Sequence, residues 1–142
     1  MQKRDLLLLY LAGVMITALA ASGQAGPGYM DAEYYTVGGI RLAQGHGFSE
    51  PFFWNYLDNP SGLPHPSHLY WMPLPSIIAT AGLVWSGGVS FAAAQIPFVL
   101  LSGLIPVLSA LLALRMSGKR RHGWLAGGFA TLSGYYLSYQ GI

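Results

Sequence analysis

The sequence predicts an all-α integral membrane protein with about three transmembrane helices and further helices beside the outer membrane surface. Three observations predict it. Of its 142 residues, 53% are hydrophobic and only 8% are charged, whereas soluble domains carry about a quarter charged residues. No charged side chain lies between Asp58 and Arg115. The remaining charges are sorted by sign. Six of the seven Lys/Arg fall at Lys3–Arg4 and Arg115–Arg121, and four of the five acids (Asp31, Glu33, Glu50, Asp58) share one polar segment. Cytoplasmic loops collect Lys and Arg, so the basic clusters mark the inner side and the acidic segment the outer side.

The first span covers residues 6–22, preceded by Lys3 and Arg4, which orients the N-terminus to the cytoplasm. The same stretch resembles a signal peptide with a cleavage site at Ala18-Leu19-Ala20, and under either reading the following segment is exported. Residues 23–72 form the outer loop, rich in Gly, Pro and aromatics. It contains a helix over 31–44, with Asp31 as N-cap and Gly45 as the C-terminal stop. Gly38-Gly39 weakens that helix and allows a close helix contact. Pro51, Pro60, Pro64 and Pro66 predict irregular structure between Phe48 and Trp71.

Residues 73–86 are apolar but cover only ~20 Å as a helix, short of the ~30 Å hydrocarbon core. If they spanned, Arg115–Arg121 would face outward, so they are read as a helix in the outer interface. A span follows over 89–115, bending near Pro97 and Pro106. An inner loop covers 116–122, and a third span covers 123–142. An apolar run that continues to Ile142 predicts the N-terminal portion of a longer membrane domain in a bacterial or archaeal plasma membrane.

The basic clusters sit beside spans rather than along one exposed face, so nucleic acid is not expected as a partner. The chain has no Cys, which excludes disulfides and thiolate metal sites. Carboxylates at a membrane boundary can serve as general bases toward a hydroxyl acceptor. Asp31 and Glu33, two apart, point about 200° away from each other on a helix, so Tyr34 and Tyr35 are the better neighbours of Asp31. Arg41 is the one base of the outer loop and suits a lipid-linked phosphate, although a snorkelling or Glu33-paired arginine fits equally well. His65 and His68, with Asp31 or Glu33, could hold a divalent cation. Ordinary loop hydrogen bonding is the simpler expectation for both, and no cofactor is certain. Phe52, Phe53, Trp54, Tyr56, Tyr70 and Trp71 could shape a sugar or headgroup surface, or simply populate the interface. His46, between two glycines, reads as a turn residue, and Tyr135, Tyr136 and Tyr139 read as packing residues.

At these residues the chain resembles the C-type (GT-C fold) membrane glycosyltransferases, including protein mannosyltransferases and bacterial lipid A aminoarabinose transferases. The resemblance lies in an acidic motif after the first span, Asp31-Ala32-Glu33-Tyr34-Tyr35, and a turn, Gly45-His46-Gly47-Phe48. Leu69-Tyr70-Trp71-Met72-Pro73-Leu74-Pro75 then enters the interfacial helix, and a glycine break at Gly87-Gly88 leads to a span ending in basic residues. It is a pattern of order and spacing over nearly the whole chain. It implies inverting transfer of a sugar from a polyprenyl-phosphate donor to a lipid, glycan or protein acceptor. Asp31, as the first acid of the motif, would act as the general base or orient the acceptor. Glu33, Tyr34, Tyr35, Arg41, His65, His68 and Tyr70 are the candidate substrate-binding set. Ala32 separates the two acids, which the family often has adjacent. The competing expectation is a small non-catalytic membrane subunit or interaction protein, whose outer loop is a docking surface. A transporter ranks third, because the spans hold no ionisable residue away from their ends.

Overall fold

The structure is a computed structural model that describes residues 1–53 and 61–133. It is mostly helical, and two of its helices are long and apolar enough to cross a membrane. In chain order the elements are α1 (Lys3–Ser22), α2 (Met30–Ala43), β1 (Ser49–Glu50), β2 (His65–Pro66), α3 (Leu74–Ser86), α4 (Phe91–Ser102), α5 (Leu104–Ser117) and α6 (Arg120–Thr131). The chain divides into two compact units. One comprises Met1–Ala25 and Pro97–Ile142, the other Gly26–Ile96.

The first unit packs α1, α5 and α6 together. On α1 every fourth residue is buried, through Asp5, Leu9, Gly13, Thr17 and Ala21. On α6 the buried residues are Gly123, Gly127 and Thr131, and on α5 they are Pro106 and Ala110. Leu9 apart, the buried seam is therefore made of small or polar residues, while Leu7, Leu8, Leu11, Met15, Leu19, Leu108, Leu112, Leu125 and Phe129 face outward. That order is the reverse of a soluble bundle, in which the large apolar residues face the core. Only 28% of the apolar stretch of α1, and 22% of that of α4–α5, is buried.

Small residues let these backbones approach. A methyl group on Gly103 would stand 2.7 Å from both Tyr10 Cδ2 and Val14 Cγ2, so only glycine fits there. Nearby, the Ser102 and Thr17 hydroxyls are hydrogen-bonded at 2.8 Å; the Ser102 proton goes to the Val99 carbonyl at 2.6 Å, so Ser102 accepts from Thr17. Helices α4 and α5 form one apolar run of 27 residues, about 40 Å at the ordinary helical rise. Its regular hydrogen bonding pauses at Gly103, although that residue keeps helical angles, φ −60 and ψ −18. Pro106 explains the pause, because it brings no N–H to the Ser102 carbonyl four residues earlier. The sequence reading placed bends at Pro97 and Pro106. Pro97 lies inside α4, and the interruption falls at Gly103.

At the other end of this seam Arg120 grips Asp5 side-on. Nη2 donates to Oδ1 at 2.6 Å and Nε to Oδ2 at 2.8 Å. Asp5 also accepts the Gln2 backbone N–H at 2.9 Å, closing the first turn of α1. The pair joins the N-terminal ends of α1 and α6, so these two helices run parallel and Lys3–Arg4 lies at the same end as Lys119–Arg121. The connection from α5 to α6 is tighter than the inner loop expected over 116–122. Gly118, at φ +67, ends α5, and Lys119 caps α6. At 12 residues α6 covers about 18 Å. Residues 134–142, with Tyr135, Tyr136 and Tyr139 and the rest of the expected third span, lie outside the described residues.

The second unit is built on α2 and α3, which run parallel and pack face to face. Gly38 and Gly39 make the contact. A methyl group on Gly39 would lie 2.9 Å from Ala79 Cβ, and one on Gly38 would lie 2.6 Å from Ser76 Oγ. Helix α2 starts one residue earlier than the sequence reading placed it. Its N-cap is Tyr29, whose φ −160 and ψ 169 are extended, so Asp31 is not the cap but belongs to the first turn. Gly45, at φ +81, stops the helix. The His46 N–H returns to the Arg41 carbonyl at 2.9 Å and the Gly45 N–H to the Leu42 carbonyl at 3.1 Å, a Schellman closure. The stretch expected to be wholly irregular contains a small antiparallel pair, Ser49 opposite Pro66 and Glu50 opposite His65. Pro66 is tolerated because a two-stranded ribbon has edges that need no N–H donor. Helix α3 occupies Leu74–Ser86, with Pro75 in its first turn and Gly87 (φ +65) ending it.

Candidate functional site

Polar side chains converge in the second unit around His68. Helix α2 supplies Tyr34 and Arg41, α3 supplies Ser76, and the β1–β2 segment supplies Ser49, Glu50, His65 and Ser67. The Ser76 hydroxyl donates to the Tyr35 carbonyl at 3.0 Å and lies 2.9 Å from His68 Nε2. A hydroxyl has one proton, so Ser76 accepts from Nε2–H. On the other side of the ring Nδ1 is then the acceptor for the Ser67 hydroxyl, 2.7 Å away. The His68 backbone N–H donates to the Tyr34 hydroxyl at 2.6 Å. Tyr34 and Phe48 meet the imidazole edge-on, with ring centres 5.1 and 5.4 Å away. Burial holds the His68 pKa below its ordinary value, which keeps the ring neutral.

His68 has φ 61, the left-handed region. A non-glycine residue there costs on the order of 1–3 kcal/mol and persists where surrounding contacts over-determine it. The four hydrogen bonds at and around the ring are such contacts.

Arg41 is turned toward the β-ribbon. Its Nε donates to the Ser49 carbonyl at 2.6 Å and its Nη2 to Ser49 Oγ at 2.8 Å, and Ser49 Oγ donates on to the His46 carbonyl at 2.8 Å. This explains how one base can sit within a largely apolar loop. The buried Glu50 and His65 face each other across the ribbon, with Nε2 3.3 Å from Oε1 and 3.1 Å from the Phe52 carbonyl. The crevice bounded by Tyr34, Arg41, Ser49, Glu50, Ser67 and His68 holds about 160 Å³ of non-atom space, none of it wide enough for a free water. In this state it is packed shut.

The residues singled out from the sequence are thus only partly brought together. Tyr34, Tyr35, Arg41, His65 and His68 share the cluster, Tyr35 through its carbonyl. Asp31 is half-buried in the first turn of α2, and among the described residues its carboxylate makes no hydrogen bond or ion pair. It bears on Tyr35 one turn later, whose phenol is pushed above its ordinary pKa first by burial and then by the charges of Asp31 and Tyr29. Glu33 is exposed and Tyr70 is 55% exposed, and neither lines the crevice. His46 is an exposed turn residue that closes α2. Trp54, Tyr56 and Asp58 lie outside the described residues.

Among the described residues, no three His, Asp or Glu side chains come together as a metal site. His65 is engaged by Glu50 and Phe52, and His68 by Ser67 and Ser76, rather than with Asp31 or Glu33. The sequence reading did not single out Ser49, Glu50, Ser67 or Ser76. A signal for Ser76 is present in α3, where Ser76, Ala79 and Thr80 place small or polar residues on one face of an otherwise apolar helix. No protein-family model, curated protein or solved structure matches the chain.

Proposed function

We propose that this chain is a module of an integral membrane glycosyltransferase that takes a sugar from a polyprenyl-phosphate donor. The membrane part of the reading is supported by two helices of spanning length, by large apolar side chains facing outward around a small, polar seam, and by basic residues gathered at one end of that seam. Parallel α1 and α6, with α5 antiparallel to both, suit three crossings with Lys3–Arg4 and Arg115–Arg121 in the cytoplasm. Helix α3, uncharged and apolar on its exposed face through Leu74, Ile77, Val84 and Trp85, suits the outer interface.

The observation that carries the catalytic part is Asp31. Its half-buried carboxylate has no hydrogen-bonding or ionic partner among the described residues, so its lone pairs are available to a substrate. In the proposed step Asp31 accepts the proton of the acceptor hydroxyl as that oxygen attacks the anomeric carbon. The bond from that carbon to the phosphate oxygen breaks, polyprenyl phosphate leaves with the electron pair, and the configuration inverts. Tyr35 serves as a neutral hydrogen-bond donor beside the base, and Arg41 pairs with the donor phosphate once the crevice opens.

The test is sugar transfer by the full-length protein in proteoliposomes supplied with a polyprenyl-phosphate sugar. Asp31→Asn must abolish transfer while α2 stays folded, and full transfer by that variant refutes the assignment. One observation favours a second reading, a non-catalytic membrane subunit. The closed crevice and the exposed Leu69, Tyr70, Trp71 and Met72 beside it suit a docking surface. Stoichiometric co-purification of a partner, with no transfer by the full-length chain, selects that reading.

A further inference from the structure

We propose that His68 is a positioning residue: as a neutral imidazole with its proton on Nε2, it docks the Ser67–His68 segment onto α2 and α3 and releases that segment when protonated. The proposal deepens the functional reading, since α2 carries Asp31, but its direct tests do not depend on transfer activity.

The geometry leaves one consistent set of donors. The Ser76 proton goes to the Tyr35 carbonyl, Nε2–H goes to Ser76, and the Ser67 proton goes to Nδ1. The backbone repeats the connection, because the Ser67 N–H reaches the Phe48 carbonyl at 3.1 Å and the His68 N–H reaches Tyr34. Ser76 is fully buried and Tyr34 nearly so, so these bonds are sheltered from water. The ring also needs Gly38 beneath it. A methyl group there would stand 3.1 Å from the imidazole Cε1, tighter than ordinary contact. The left-handed backbone at φ 61 adds a residue that would relax if undocked.

Protonation places a hydrogen on Nδ1, facing Ser67 Oγ. The serine must then turn its own proton away into a crevice too narrow for a free water. Among the described residues, the charged and titratable groups that line the crevice with the ring are Tyr34 and Arg41 from α2 and Glu50 from β1, and α3 contributes the Ser76 hydroxyl. Arg41 opposes a second positive charge, and Glu50 is directed at His65. Burial lowers the His68 pKa below the ordinary 6.5, so the undocked segment takes up a proton more readily than the docked one. Docking is therefore complete above that ordinary value and weakens as pH falls below it toward the lowered value. Coupling of this kind gives the proposed site a closed form at neutral pH and an opened form in acid.

The experiment is 15N-histidine NMR, with amide hydrogen exchange across Ser61–Tyr70, on the intact chain in lipid nanodiscs. At pH 7.5 the His68 signals should be those of a neutral Nε2–H imidazole, and the Ser67 and His68 amides should exchange slowly. Both amides should speed up as pH falls below about 6.5, after correction for intrinsic exchange. His68→Gln, which can still reach Ser76 but cannot titrate, should keep protection at every pH. His68→Ala should lose it by about tenfold or more throughout. If His68→Ala fails to fold, the comparison of wild type with His68→Gln decides. An Nδ1–H or charged imidazole at pH 7.5 overturns the proposal. So does a His68→Gln variant that follows the wild-type pH dependence. If docking behaves as stated while Asp31→Asn retains full transfer, the catalytic reading falls and the role of His68 stands.

Discussion

Both units bring helices together at glycines, yet they use the close approach for different ends. In the first unit Gly103 admits Tyr10 and Val14, and the seam behind it is small: Gly13, Thr17, Pro106, Ala110, Gly127. Its few polar bonds serve helix register, with Ser102–Thr17 along the seam and Arg120–Asp5 at its end. In the second unit Gly38 and Gly39 bring α2 against α3, and the shortened distance lets Ser76 reach the Tyr35 carbonyl and His68. Close packing there assembles a polar network. The lesson is that glycine-mediated contacts alone do not mark a site, whereas buried hydroxyls and an imidazole meeting at one do.

The largest expected effect bears on the network side of this contrast. Asp31→Asn should reduce transfer about 10²–10⁴-fold, the usual contribution of a general base, with helicity and His68 amide protection unchanged. Overpacking the glycine contacts should come next. Gly39→Leu and Gly103→Leu should each cost about 1–3 kcal/mol or more, read as lowered thermal midpoints in detergent. Only the Gly39 variant should also free the Ser67 and His68 amides. If the Gly103 variant frees them equally, the contrast between the two units breaks.

Asp5→Asn and Arg120→Ala should each lower the thermal midpoint. The double variant should lose less than the sum, because both remove one interaction. Additive losses would mean that the pair does not hold α1 to α6. The smallest effect is expected at Thr17→Val, which removes the Thr17 bond to Ser102 while Ser102 still donates to the Val99 carbonyl at 2.6 Å. That change should cost about 0.5–1.5 kcal/mol, measured by the same melts. A larger loss would sharpen the contrast by giving the first unit a polar core of its own.

Much of the element order was legible in advance. The helical stretches expected over 6–22, 31–44, 73–86 and 89–115 correspond to α1, α2, α3 and α4–α5 with small shifts in bounds. Those shifts have local causes. Extended dihedrals at Tyr29 move the cap off Asp31, and Pro106 moves the interruption to Gly103. The candidate site was legible in part. Aromatic and histidine side chains stood out by type, but Ser67 and Ser76 have common side chains and no motif. Their importance comes from His68 having both as neighbours at once.

What the sequence by itself determined follows from local pattern. Runs without charge, glycine and proline stops, and the sorting of Lys/Arg from Asp/Glu act over a few residues, and they decide where helices begin and end. What the tertiary structure alone decided are the meetings of distant residues. Tyr34 meets His68 across 34 positions, Ser76 meets Tyr35 across 41, and Arg120 meets Asp5 across 115. No local periodicity encodes such pairs. They arise because the chain must satisfy buried donors and acceptors with whatever its packed helices bring within reach, and at Gly38, Gly39 and Gly103 the reach is set by the missing side chain.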